Sequence, residues 1–131
     1  MPIVSVQAAG RYDPELLDRA VAAHFEALDV ARDLRPGMHV LLKPNLLAAR
    51  DPALAVTTHP EVLAAVARWL RAHGISKITL ADSPGGVYSA AMLKKLYAAC
   101  GLSPLEGLLH LNLDVSSGRR DGFTLITPVL E

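Results

Sequence analysis

Three short polar segments interrupt an otherwise aliphatic sequence, and they carry residue types that bind anions or transfer protons. They are Lys43-Pro44-Asn45, Thr57-Thr58-His59-Pro60-Glu61 and Asp82-Ser83-Pro84-Gly85-Gly86. In the first, the Lys43 ammonium can contact an anionic group and the Asn45 amide can hydrogen-bond the same ligand. We therefore take both as candidate ligand contacts, with a solvated lysine in a strand-ending turn as the alternative.

The second segment has both a structural and a chemical interpretation. Thr58 and Glu61 have the spacing of a capping box, in which a hydroxyl and a carboxylate satisfy free backbone amides at a helix start. Capping does not explain His59, whose imidazole can bind a ligand, exchange protons near neutral pH, or simply lie exposed. His59 is a candidate catalytic residue, and Thr58 is a candidate ligand contact.

The third segment follows an apolar strand. Asp82 can hydrogen-bond a hydroxyl, bind a metal or cap the loop, and we take it as a second candidate catalytic residue. Gly85 and Gly86 let the backbone approach a ligand closely, and amides entering the next helix can hold a phosphate or carboxylate. Together with Ser83 they are candidate ligand contacts. The segment is neither GxGxxG nor a Walker loop, so a tight turn is the alternative.

Alternating strands and helices must position these segments. Apolar and β-branched runs predict strands at 3–6, 38–42, 77–81, 108–115 and 123–126. Helical periodicity and end signals predict helices after Asp13-Pro14, from His59-Pro60 to Gly74, and through Met92 to Gly101. This order predicts a three-layer α/β fold: a mainly parallel sheet of four or five strands with helices on both faces. All three polar segments then fall where such sheets bind ligands, beyond the carboxyl ends of the strands.

Composition limits the other possibilities. The 131 residues suit a single domain spanning 1–131, and 13 basic residues balance 13 acidic ones, so no nucleic-acid footprint is present. We see no signal peptide and no apolar run of about 20 residues, so we expect a cytoplasmic protein with no membrane contact. Five histidines lack metal-ligand spacing, which predicts no metal site, and the one cysteine, Cys100, cannot hold an iron–sulfur cluster alone.

The order and spacing of three segments resemble a known family over roughly residues 1–102. The segments are Leu42-Lys43-Pro44-Asn45-Leu46, Thr57-Thr58-His59-Pro60-Glu61-Val62 and, after Gly74, Ala81-Asp82-Ser83-Pro84-Gly85-Gly86. They resemble the domain of unknown function 362 family, prokaryotic proteins often described as iron–sulfur cluster-binding. The resemblance implies a redox-associated protein with a [4Fe–4S] module in a region not present here. This chain then corresponds to the N-terminal part of a longer architecture.

Three functional hypotheses follow. The leading one is a ligand-binding α/β domain of an iron–sulfur-associated redox protein, in which Lys43 and Asn45 bind a small anion. Asp82 and Ser83 orient that anion, and His59 exchanges a proton or binds. The second is a lactate-racemase-like isomerase domain, whose sheet-edge histidines move protons. The third is a non-enzymatic interaction or scaffold domain. The sequence leaves the oligomeric state open.

Overall fold

The computed structural model describes residues 3–84 and 89–115, and within them the fold is α/β. Its three α-helices are α1 (Pro14–Ala27), α2 (Pro60–Ala72) and α3 (Ala90–Ala99). Its three strands are β1 (His39–Leu42), β2 (Lys77–Leu80) and β3 (His110–Leu111). Short 3-10 helices lie at Val30–Asp33, Pro52–Leu54 and Ser103–Leu105. No helix in the described ranges is long and apolar enough to cross a membrane.

The helix ends follow from local sequence. Asp13 caps α1 by accepting a hydrogen bond from the Leu16 amide at 2.9 Å, and Pro14 occupies the first turn, as predicted. Gly74 has a φ of +83°, which lets the chain turn sharply after α2. Gly101, with a φ of +68°, plays the same part after α3.

The sheet is parallel throughout, in the order β1-β2-β3. Val40 pairs with Ile78 and Leu42 with Leu80, while Leu80 also pairs with Leu111. Two backbone hydrogen bonds extend this ladder beyond the strands: the Ala81 amide donates to Leu42 at 3.1 Å, and the Asn112 amide donates to Leu80 at 2.9 Å. The three strands therefore end together at one carboxyl edge.

Helices α2 and α3 pack on one face of this sheet. Ile78 and Leu80 point to the same side because side chains alternate along a strand, and both are buried. They belong to one apolar cluster with the inner residues of both helices: Leu63, Ala67 and Leu70 of α2, and Leu93, Leu96 and Tyr97 of α3. The opposite face carries His39, Leu41, Lys77, Thr79 and His110, of which only Thr79 is half-buried and the rest are exposed.

The prediction of helices on both faces is therefore not confirmed among the described residues. Strands added successively in one direction through crossovers of the same hand place their helices on the same face. Helix α1 does not cover the other side either. Its Leu17 and Val21 pack against Ala65 on the outer side of α2.

The strand predictions are corrected in two places. Residues 3–6 form no strand; Ile3, Val4 and Val6 are at least 69% exposed, and β-branched residues with no neighbouring strand gain nothing from extension. In the segment 108–115 only His110–Leu111 is a strand. The candidate at 123–126 lies outside the described residues, so the count of four or five strands is not confirmed.

A half-buried arginine joins the first two helices. Nη2 and Nε of Arg68 in α2 donate to Oδ1 of Asp18 in α1 at 2.7 and 2.9 Å, and Nε also donates to Oδ2 at 3.1 Å. Nη2 donates to Glu61 at 2.6 Å as well. The hydrogen bonds that Arg68 donates to Asp18, and the weaker effect of the one it donates to Glu61, raise the pKa of its guanidinium above the ordinary value, and burial only partly offsets them. These hydrogen bonds connect the side chains of α1 and α2 directly.

We expect Arg68→Ala to lower the free energy of unfolding by about 1 kcal/mol, because the pair is partly screened by solvent. Arg19→Ala, which removes an exposed 3.9 Å contact with Glu15, is the matched control and should change it by less than about 0.5 kcal/mol. Urea unfolding at neutral pH measures both. Equal losses in the two variants would contradict a joining role for Arg68.

Candidate functional site

A buried carboxylate lies at the carboxyl edge of the sheet. The Asp82 side chain, just beyond β2, is only 6% exposed. Its Oδ1 lies 2.8 Å from Nζ of Lys43, the first residue after β1, and its Oδ2 accepts a hydrogen bond from the Leu46 amide at 2.8 Å. The Ser83 amide also donates to it. Asp82 thus ties the end of β2 to the chain that leaves β1.

These contacts keep Asp82 ionised. Burial alone raises the pKa of a carboxyl group, because it disfavours the charged form. Here the hydrogen bonds from Lys43, Leu46 and Ser83, with the charge of Lys43, outweigh burial and hold the pKa of Asp82 below its ordinary 3.8. Near neutral pH the site therefore contains a carboxylate and an ammonium in contact.

The ion pair with Asp82 leaves part of the hydrogen-bonding capacity of the Lys43 ammonium available. Its side chain is 71% exposed although its ammonium contacts Asp82. An ammonium has three N–H donors, and the 2.8 Å contact accounts for one of them. The remaining donors can reach an acceptor on the solvent side.

The second polar segment is joined to the first. The Asn45 amide donates to Oγ1 of Thr58 at 2.9 Å, and the Thr58 amide donates back to the Asn45 carbonyl at 3.1 Å. Lys43, Asn45, Thr58 and Asp82 therefore belong to one network, which we call the edge network and which includes the Leu46 amide. The side chain of Asn45 is exposed beside it.

His59 caps a helix, which is a structural role that the sequence did not indicate. It is the N-cap of α2, and its Nδ1 accepts a hydrogen bond from the Glu61 amide at 3.2 Å. Its ring stacks on Tyr12, with centroids 3.6 Å apart and planes 4° from parallel. An accepting Nδ1 places the proton of the neutral ring on Nε2, which can donate to a ligand but cannot accept from one.

The capping box predicted for Thr58 and Glu61 is wrong. The Thr58 hydroxyl accepts a hydrogen bond from the Asn45 amide, and the Glu61 carboxylate accepts one from Arg68. Helix α2 begins one residue later than the box requires, because Pro60 occupies its first position. Ser83 is exposed next to Asp82, while Gly85 and Gly86 lie outside the described residues.

Sequence reasoning missed two contacts at this edge and one buried hydroxyl that is adjacent to it in sequence. The Leu46 amide is a backbone donor, and no side-chain pattern indicates it. Tyr12 lies 47 positions before its stacking partner His59, with no local signal. Thr57 is 8% exposed, and its Oγ1 is buried without a hydrogen-bond partner among the described residues.

No group of three or more histidine, cysteine, aspartate or glutamate side chains in residues 3–84 and 89–115 is arranged to hold a metal ion. Cys100 is fully buried, and its Sγ lies 3.5 Å from the Ala48 carbonyl oxygen, as expected of a small core residue.

A second candidate cleft lies elsewhere among the described residues. A hollow of about 400 Å³ opens over the uncovered sheet face, where Nε2 of His39 lies 2.7 Å from Oγ1 of Thr79. Arg71 at its border donates to the Leu108 carbonyl, and Glu106 accepts from the Leu111 amide. These polar groups already hydrogen-bond to other groups of the protein, so the cleft is a weaker candidate for a ligand site than the carboxyl edge.

Comparison with known proteins places these segments in a family. Part of the chain is 47% identical over 51 residues to the thylakoid-associated protein sll1697 of Synechocystis sp. (strain ATCC 27184 / PCC 6803 / Kazusa). That alignment covers 39% of this chain and 16% of the relative, so the chain spans a small part of that protein's length. No solved structure matches the chain. The family model described as Domain of unknown function (DUF362) matches residues 40–121, which include Lys43, Thr58 and Asp82, and the chain belongs to this family.

Proposed function

We propose that this domain binds a small anion at the carboxyl edge of its sheet, with Lys43 as the principal contact. The observation that carries the proposal is the pairing of an exposed lysine with a buried carboxylate at 2.8 Å. A solvated lysine in a turn has no fixed position, whereas this ammonium is held at one place by the fold. The ligand class is a carboxylate or phosphate, whose oxygens accept the remaining N–H donors of Lys43.

Asp82 is a positioning residue in this proposal. Its carboxylate fixes the Lys43 ammonium and, through the Leu46 and Ser83 amides, the two loops that border it. The ion pair lowers the net positive charge at the edge, which disfavours a highly charged ligand and favours one with a single anionic group. Asn45 and Ser83, both exposed beside the pair, supply further polar contacts.

His59 contributes as a hydrogen-bond donor rather than as a base. Because Nδ1 accepts from the Glu61 amide, removing a proton from a ligand through Nδ1 would break the cap of α2. The geometry therefore favours a binding role for His59 over the proton transfer that an isomerase requires. Among the functions considered, an anion-binding domain fits this histidine best.

The wider role we propose is that of a cytoplasmic domain in a longer, iron–sulfur-associated redox protein. The residues of this chain do not fit the cluster itself. A [4Fe–4S] cluster is held by four cysteine thiolates, whereas the chain has one cysteine, which is fully buried. The proposal therefore assigns the cluster to cysteines outside these 131 residues and assigns binding of the small anion to this domain.

Replacing Lys43 tests the anion site. We expect Lys43→Met to weaken binding of inorganic phosphate or acetate at least about tenfold, because a hydrogen bond to a charged group contributes about 1.5–3 kcal/mol. Isothermal titration well below the melting transition measures the affinity, and melting temperature is followed in parallel because Asp82 loses its partner.

Lys77→Met is the matched control for that experiment. Lys77 is exposed at the start of β2, at the opposite end of the strand, and its loss changes the net charge equally. It should leave the affinity unchanged. Similar losses in both variants would reduce the effect to net charge, and unchanged affinity in Lys43→Met would rule out the site.

Acid titration tests the role of Asp82. Its folded pKa lies below the ordinary 3.8, so its stabilising contribution is fully present above that pH and is lost as the pH falls through the folded value. We expect Asp82→Asn to lower the free energy of unfolding by about 1–3 kcal/mol near neutral pH, and its difference from wild type to shrink as the pH falls below 3.8. Urea unfolding across this range measures it. Asp33→Asn, at an exposed carboxylate, should have little effect, and a pH-independent loss in Asp82→Asn would contradict the ion-pair assignment.

A further inference from the structure

We propose that residues 3–6 of a second copy of this chain bind as an added strand along the edge of β1 that faces away from β2, which we call the open edge. In the sheet order β1-β2-β3, β1 pairs with β2 alone among the described strands. An unpaired strand edge presents backbone N–H and C=O groups to which another segment can hydrogen-bond. The proposal is independent of the anion site.

The backbone groups of His39 and Leu41 lie along the open edge. The Leu42 carbonyl accepts a hydrogen bond from the Ala81 amide just beyond β2, so the Leu42 backbone faces β2. In a parallel strand, the N–H and C=O of one residue point to the same side, and successive residues alternate. Val40 therefore also faces β2, while the N–H and C=O of His39 and Leu41 point away from it.

The opposite edge of the sheet, along β3, is blocked by a side chain. The Asn112 amide donates to the Leu80 carbonyl, so the preceding residue, Leu111, directs its backbone away from β2. Its amide donates to Oε2 of Glu106 at 3.0 Å. A carboxylate in this position takes the hydrogen bond that a further strand would need, and charged side chains at an edge disfavour pairing. The open edge of β1 is therefore the favoured place for another strand.

The apolar side chains of β1 are incompletely covered. Val40 and Leu42 pack against the core on the helix side of the sheet but are only half-buried. In the central strand, Ile78 and Leu80 occupy the same side and are 3% and 0% exposed. A strand added beside β1 would remove apolar surface of Val40 and Leu42 from water, which stabilises the contact.

Residues 3–6 have the composition of such a strand. Ile3, Val4 and Val6 are β-branched and are 69%, 83% and 84% exposed, so they gain little from their present surroundings. β-branched residues are favoured in strands because they pack well against neighbours on a pleated surface. Side chains alternate along a strand, so Val4 and Val6 share one face. That face is the apolar one that matches β1.

A contact within the chain holds this segment beside helix α1. Oγ of Ser5 lies 2.9 Å from Nδ1 of His24, and α1 packs on the outer side of α2 through Leu17 and Val21. The segment therefore lies in the helical layer and not beside its own β1. Exchange between two copies uses the same two surfaces on each, which closes a dimer. Two four-residue strands make a small interface, so the dimer should form in a concentration-dependent way.

Sedimentation of the complete 131-residue chain at micromolar to millimolar concentration tests the dimer. We expect wild type to dimerise as concentration rises, and Val4→Asp to raise the dissociation constant at least about tenfold, because its carboxylate would be desolvated against β1. Val4 is 83% exposed, so the melting temperature of the dilute variant should match that of wild type. Leu54→Asp, at a residue 61% exposed on a 3-10 helix, is the matched control and should dimerise like wild type.

Hydrogen exchange shows whether the open edge is the surface used. Raising the wild-type concentration should slow exchange of the His39 and Leu41 amides at least about fivefold, and this protection should be absent in Val4→Asp. A wild-type chain that stays monomeric at millimolar concentration would overturn the proposal. So would a dimer that Val4→Asp leaves intact, or one in which these two amides stay unprotected. Protection that does not depend on concentration would indicate pairing within one chain and would also overturn it.

Discussion

The Asp82 carboxylate links two strand ends that are 38 positions apart in sequence. One oxygen faces the ammonium of Lys43, and the other accepts from the Leu46 amide. The backbone ladder between Leu42 and Ala81 stops at this point, so the carboxylate continues the connection with side-chain chemistry where main-chain pairing ends. A charge this buried is tolerated only because each of its oxygens is satisfied. The loop that carries Asn45 and Leu46 takes its position from that requirement.

The rest of the edge follows from this connection. Once Leu46 is fixed, Asn45 presents its amide and carbonyl to Thr58, and Thr58 places His59 at the start of α2. Helix α2 then packs Leu63, Ala67 and Leu70 against the sheet, while Arg68 on its outer side secures α1. The site and the fold therefore share residues, and a change at Asp82 affects both. This overlap explains why affinity and stability have to be measured together.

The sequence allowed much of this arrangement to be predicted, for identifiable reasons. Strands β1 and β2 and the capped helices carry strong local signals: short aliphatic runs, Asp13-Pro14, and Gly74 where a left-handed residue is needed. Because parallel strands end at a common edge, the contact between Lys43 and Asp82 could be predicted from topology alone. The roles of His59 as helix cap and of Thr58 as partner of Asn45 could not be predicted, because they depend on which backbone amide lies nearest in three dimensions. At residues 3–6 the local pattern was misleading. Their β-branched composition predicts a strand, but among the described residues no neighbouring strand pairs with them.

The central claim is that an oxyanion binds at the Lys43–Asp82 edge, and amide chemical shifts observed by NMR during a phosphate or acetate titration test it most directly. The account predicts saturable shifts concentrated at the amides of Asn45, Leu46, Thr58 and Ser83, which border the pair. Amides lining the 400 Å³ cleft, such as those of Thr79 and His110, should remain unmoved. Shifts confined to that cleft, or shifts that never saturate, would contradict the account.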